Sequence, residues 1–369
     1  MLARARVGAS RARFSSTALA PKFAALLRHD YAQLDAHAPV MLAKLHASEA
    51  PMIWHKHGSF LDHLRDVWAM LVLWDQPVAT QRLGLFHSAY SNSFVAMKLY
   101  DIKTERGALQ EMIGEEAENL VYKFCVINRQ VLENTVLGEG TIRKEGYELA
   151  HIHTGETVHL SGEEAAACIT QTIADVMDQS FGWQSELEAD RTLALWPGPF
   201  LPTLRMTKVT NFAAALRESG LVPEAQLPPV FGRCTQILTK QEEKDARDRY
   251  ARVVYNERVA TDKDVTALLE VSVLNPYVAE PHVVRAQILL QMGRFPEAER
   301  AALQGLQLLE LWATPWDKRM PLHAWVAWTR CLIFQARQKE WPRTHGGLES
   351  LGAIDASMVA RKLNTDRLG

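Results

Sequence analysis

The chain has 369 residues, 41 Lys+Arg against 43 Asp+Glu, 47% hydrophobic and 23% charged residues. These values exclude a disordered chain, a collagen-like fibre and a disulfide-dense miniprotein, and the length suits two domains, or three. A formal net charge of -2 gives no electrostatic reason to bind nucleic acid or an anionic membrane, and the longest apolar stretches fall short of the ~20 residues of a transmembrane helix.

Residues 1–20 hold Arg4, Arg6, Arg11 and Arg13, are rich in Ala and Ser, and precede the first acidic residue, Asp30. An Arg-rich, Ser-rich, acid-poor start has the composition of an organelle transit peptide. Arg13-Phe14-Ser15 is similar to a mitochondrial processing site, with cleavage after Phe14. The expected address is the mitochondrial matrix, with the plastid as alternative. Four cysteines (Cys125, Cys168, Cys234, Cys331) lie far apart without a CxxC pair, as suits free thiols in a reducing compartment.

Residues 22–185 read as a helical domain. Ser59-x-x-Asp62 and Ser161-x-x-Glu164 are capping-box-like starts before apolar runs. A helix is predicted from Leu61 to Trp74, ended by Gln76-Pro77 because proline clashes with a continuing helix. The next spans Val78 to Tyr90, and a long one Arg106 to Leu132. Alternation on both sides of Thr154-Gly155 predicts a small β-hairpin within Tyr147–Leu160. Residues 186–238 form a Pro-rich connecting region with one helix at about Val209–Glu218. Residues 240–345 are helical again, and 346–369 form a tail.

Within 240–345, the stretch from Ala279 to Ala298 resembles a tetratricopeptide repeat. Ala286 and Ala298 take the places where small residues let paired helices touch, Gly293 sits in the turn and Phe295 packs after it. Counting back the ~34-residue period starts an earlier unit at Asp245, containing Tyr255 and ending in Asn275-Pro276. A third helical pair is expected from Leu322 to Trp341, displaced by an insertion at 311–320. The resemblance implies a concave face on the first helix of each unit, which receives a protein or peptide partner. Its candidate positions are Arg252 and Asn256, then Arg285 and Gln287; arginine favours carboxylates through paired hydrogen bonds.

Three further motifs belong together: His57-Gly-Ser-Phe-Leu-Asp-His63, Gly84-Leu-Phe-His87-Ser88-Ala-Tyr90 and Ile173-Ala-Asp175. Over about residues 55–180 they resemble the HD superfamily of metal-dependent phosphohydrolases, and more closely an uncharacterised HD-like branch, matched also by Ile113-Gly-Glu-Glu-Ala-Glu118. The resemblance implies an all-α fold. It also implies a metal held by His63, His87 and Asp175, with His57 as a further ligand; His55, His151, His153 and His159 are alternatives. The superfamily's His-Asp pair is here His87-Ser88. A serine is a poorer ligand than a carboxylate, which disfavours a two-metal site. Two imidazoles and one carboxylate suit a single divalent ion, Fe, Mn or Zn. The expected function is a metal-dependent phosphohydrolase acting on a small molecule, with a mononuclear iron oxygenase as the second enzymatic reading. The alternative is a non-catalytic HD-like domain joined to a repeat module that binds a protein. Asp66, one turn after His63, is a candidate support for that histidine, or a surface acid.

Overall fold

The computed structural model describes residues 16–55, 58–95, 98–179, 202, 204–232, 234–256 and 259–341. Residues 1–15, where most of the expected transit peptide falls, the stretch 180–201, the chain from Pro342 onward and His57 lie outside the described residues. Among the described residues there are fourteen α-helices and two small antiparallel hairpins, so the all-α expectation holds at the level of class. In chain order the elements are α1 Ser16–Leu27, α2 Ala38–His46, β1 Trp54–His55, β2 Gly58–Ser59, α3 Phe60–Leu73, α4 Val78–Phe86, α5 Arg106–Ile113, α6 Glu115–Val126 and α7 Arg129–Glu139. There follow β3 Tyr147–Ala150, β4 Thr157–Leu160, α8 Gly162–Asp178, α9 Met206–Ser219, α10 Lys240–Val254, α11 Asp262–Leu274, α12 Glu280–Gln291, α13 Phe295–Trp312 and α14 Leu322–Gln338. No helix among the described residues is long and apolar enough to cross a membrane.

Both predicted capping boxes form. Asp62 N donates to Ser59 Oγ at 3.1 Å and Ser59 N donates back to Asp62 Oδ2 at 3.3 Å. Glu164 N and Ser161 do the same at the head of α8, at 3.2 and 2.8 Å. Each pairing satisfies two donors that a helix start leaves orphaned. Helix α3 is apolar nearly all round and buries ten of its residues, His63 among them, which makes it the central helix of the first half. It meets α4 closely because Gly84 lacks a side chain: a Cβ there would come 2.4 Å from Leu71 Cδ1. The predicted hairpin forms with Tyr147 opposite Leu160 and Ala150 opposite Thr157.

Two predicted helices are corrected. Helix α4 stops at Phe86 rather than Tyr90, since Asn92 Nδ2 takes the carbonyl of His87 and the amides of Leu99 and Tyr100 take that of Ala89. The expected long helix from Arg106 to Leu132 is three. Gly114, at φ 89°, separates α5 from α6, a conformation that glycine adopts without steric cost. Ile127 then turns extended to pair with His151, and Asn128 caps α7 through Oδ1 to the amides of Gln130 and Val131.

In the C-terminal half α10 packs against α11 and α12 against α13. Helix α13 starts 33 positions after α11 (262 to 295), while α12 starts 40 after α10 (240 to 280), so the spacing is regular for the second helix of each pair only. Ala286 and Ala298 are fully buried, and Gly305 permits the α12–α13 contact, where a Cβ would lie 2.7 Å from Val283 Cγ2. The expected third pair is instead the single helix α14. The insertion before it is a tied loop. Tyr250 OH donates to Asp317 Oδ2 at 2.7 Å, Trp325 Nε1 donates to Asp317 O at 2.9 Å, and the amides of Trp316 and Asp317 donate to Glu280 Oε1 at 2.6 and 3.1 Å. The two halves share one core: Trp74 Nε1 donates to Leu311 O at 2.7 Å and its ring meets Trp312 edge-on at 5.9 Å.

Glu280 makes this loop pH-sensitive. Its carboxyl is fully buried, its Oε2 has no hydrogen-bond partner, and burial, followed by the charge of Asp317, pushes it up from 4.5 to about 7. The folded state therefore holds this proton more tightly than the unfolded chain. The penalty of ionising it is absent below the unfolded value, grows as pH rises, and is complete above about 7, where it reaches on the order of 3 kcal/mol. Glu280→Gln keeps the oxygen that receives the two amides and removes the charge. Melting curves are expected to show the variant more stable than the parent at pH 8 and equal to it at pH 5. Equal melting temperatures at both values would show that Glu280 is not protonated in the fold.

Candidate metal centre

Three elements bring the site together: α3 supplies His63, the end of α4 supplies His87, and α8 supplies Asp175. All three side chains are buried, at 3%, 2% and 5% exposure. His63 Nε2 lies 3.3 Å from His87 Nε2 and 3.4 Å from Asp175 Oδ1, and one ligand atom from each of the three falls within 4.8 Å of the others. Ligands about 2.1 Å from a tetrahedral ion are about 3.4 Å apart. Among the described residues this is the one such group, and it could hold a metal ion.

The other faces of these side chains are already occupied. His63 Nδ1 donates to Asp178 Oδ2 at 2.7 Å, and His87 Nδ1 donates to the carbonyl of Gly84 at 2.8 Å. With both Nδ1 atoms acting as donors, both Nε2 atoms are left to face the common centre. A metal-ligating histidine is oriented in this way by a carboxylate or carbonyl. Asp175 is divided similarly: Arg129 Nη2 donates to Oδ2 at 2.8 Å, leaving Oδ1 toward His63 and the amide of Gln179. The guanidinium of Arg129 also lies 4.2 Å from the centroid of the Phe124 ring. Asp178 in turn receives Thr314 Oγ1 at 3.1 Å and sits 3.5 Å from Lys318 Nζ, both from the tied loop before α14. Lys318 also donates to Thr314.

The charges follow from this arrangement. Burial works against a charged His63, but hydrogen bonds to Asp175 and Asp178 outweigh it and push the imidazole up to about 9. Burial pushes His87 down to about 4, with Asp175 opposing and His63 adding to the shift. Asp175 is held well below the usual carboxylate range; burial opposes this, and Arg129 and His63 prevail. Without an ion, His63 holds a proton that its two carboxylates favour. An ion there replaces that proton.

The remaining candidates divide. His55 lies beside the centre, its ring 4.6 Å from that of His63 and its buried Nε2 without a hydrogen-bond partner. His159 is exposed and bonds Glu148 at 2.7 Å, and His151 and His153 meet edge-on at the hairpin turn; none of the three joins the group. Asp66 pairs with Arg65, so the carboxylate that supports His63 is Asp178. Ser88 is fully buried, and its Oγ accepts from Asn92 Nδ2 at 2.8 Å.

The expected partner groove does not form as one surface. Gln287 is fully buried, because that face of α12 turns toward the neighbouring helices. Asn256 lies beyond the end of α10, and not on the first helix of a pair. Arg252 is exposed and donates to the carbonyl of Asp248, and Arg285 is half-buried in a cavity on α12.

A family model described as a domain of unknown function (DUF6817) matches residues 44–129. The match spans His63, His87 and Arg129 and ends before Asp175 and Asp178. No curated protein and no solved structure matches the chain.

Proposed function

We propose that the protein is a mononuclear metalloenzyme of HD-like type, hydrolysing a phosphate ester of a small molecule, with its TPR-like helices packed against the catalytic half and a mitochondrial address. The observation that carries the metal reading is the locking of both histidines: each Nδ1 is tied to a fixed acceptor, so both Nε2 atoms converge with Asp175 Oδ1. The phosphoester class rests on the resemblance of the three motifs to HD phosphohydrolases. A divalent ion, Zn, Mn or Fe, supplies Lewis acidity and an acidified water when bound there. The chain's own residues have distinct tasks. His63, His87 and Asp175 hold the ion, Asp178 fixes the tautomer of His63, Arg129 fixes the direction of Asp175, and Gln179 offers an amide at the same carboxylate. His55 is a neutral imidazole beside the centre, pushed down to about 3 by burial and by His63, too weak a base to take a proton near neutral pH, and its unpartnered Nε2 is available to orient a water by hydrogen bond.

Ser88 favours the second reading, a non-catalytic metal-binding fold. It stands where the resemblance wants a ligating carboxylate, and Asn92 engages its hydroxyl. Metal analysis of the purified protein, paired with an assay on a generic phosphodiester, separates the readings. One ion per chain, absent from His87→Ala, with chelator-sensitive hydrolysis, is the expected result. One ion without hydrolysis would leave the non-catalytic reading. Equal metal content in the parent and His87→Ala would remove both.

A further inference from the structure

A cavity of about 340 Å³ opens between α11, α12 and the head of α13, remote in the chain from the metal ligands. Its size is at the lower end for small-molecule pockets. Three arginines line it, Arg285, Arg294 and Arg300, together with two acids, Asp262 and Glu297. Arg294 satisfies both acids: it donates to Glu297 at 2.7 and 2.8 Å and to Asp262 at 2.6 Å. Arg285 and Arg300 then have no ion pair among the described residues. Arg285 is the informative one. It is half-buried, and its Nε is shielded from solvent without an acceptor.

A buried guanidinium donor without an acceptor is unfavourable, and an anion arriving in the cavity would relieve it. The opposing charges set the valence of that anion. Three cations and two anions leave one net positive charge, which suits a monoanion and disfavours a dianion such as phosphate. The planar fork of arginine matches the two oxygens of a carboxylate. The apolar part of the lining is Val265, Leu269 and Leu289, and Leu269 is 48% exposed, so a short aliphatic chain attached to the anion would cover it. Burial also lowers the pKa of Arg285 from its ordinary value; Glu297 opposes the shift, and Arg294 and Arg300 add to it, the direction expected of a cation short of counter-charge.

We propose that this cavity binds an aliphatic carboxylate through Arg285 and Arg300. The ligand is either a free short-chain acid or the carboxylate end of a peptide with an apolar last residue, two sources of one chemistry. The inference does not depend on the metal centre.

Calorimetric titration of the full chain tests it, using butyrate, inorganic phosphate, butyramide, and a short blocked peptide ending in leucine as free acid or as amide. The expected result is saturable butyrate binding with Kd on the order of 1 mM, no binding of butyramide, and phosphate at least tenfold weaker. Arg285→Met and Arg300→Met should each weaken butyrate at least tenfold. Tighter binding of the peptide acid than of butyrate would assign the site to a chain terminus, and equal or weaker binding to a free acid. Because Arg285→Met removes an unsatisfied buried donor, it should also raise the melting temperature of the ligand-free protein. Equal binding of butyrate and phosphate, unchanged affinity in Arg300→Met, or absence of any carboxylate binding up to about 10 mM would overturn the proposal.

Discussion

Asp178→Asn is expected to weaken metal binding by about 10- to 100-fold while leaving the three ligands in place. The substitution keeps the size of the side chain but removes the charge that His63 Nδ1, Thr314 and Lys318 all address. Two consequences follow. The Nδ1–H of His63 loses its charged acceptor, so the preference that presents Nε2 to the centre weakens. Lys318, whose side chain is 1% exposed, loses the anion that compensates it, and a buried unpaired cation is destabilising. Competition against a chelator of known affinity measures the first, and a melting curve of the metal-free protein measures the second. An affinity equal to the parent's would show that Asp178 is a structural acid unconnected with the metal.

Trp74→Ala is expected to cost about 3–5 kcal/mol, the range for removing a fully buried tryptophan. Trp74 is 1% exposed, closes the end of α3 and faces Trp312 across the junction of the two halves. Its loss also strips the part-buried Leu311 O of the indole donor. The position of Trp74 gives the prediction a second readout. Leu311 and Trp312 lead directly into the loop that carries Thr314 and Lys318, so disorder at the junction reaches Asp178. Urea unfolding followed by circular dichroism should give one cooperative transition for the parent. For the variant it should give a lower midpoint or two separated transitions, with metal affinity reduced as well. A variant that unfolds like the parent would mean that the halves are held elsewhere.

The parts legible in the sequence were those set by local chemistry. Ser59 and Ser161 announce helix starts because a hydroxyl three residues before an acid satisfies orphan amides without tertiary help. The hairpin around Gly155 shows in simple alternation. The break at Gly114 was also written there, in a glycine followed by Glu115 and Glu116, a combination that favours a new helix start; continuous apolar spacing from Arg106 to Leu132 concealed it. His63, His87 and Asp175 were found through motif resemblance, and the structure brings them together. Asp178 had a local signal that passed unused, since a residue three positions after Asp175 shares its helical face. Thr314, Lys318 and Arg129 had none. Their role depends on how distant elements pack, and no spacing rule reports that. The same limit misplaced Gln287, because periodicity shows that a helix has a buried face and not which neighbour will cover it.

The loop between α13 and α14 has a further consequence for how the molecule is made. A chain leaving the ribosome folds from its N-terminus onward, so His63, His87 and Asp175 emerge long before Thr314 and Lys318. Until the loop arrives, Asp178 lacks Thr314 and Lys318, and the nascent first half carries beside its ligands an acid that still awaits these two partners. The last-made helices therefore act as a lock turned after assembly: the centre reaches its final geometry only when the end of the described chain closes over its middle.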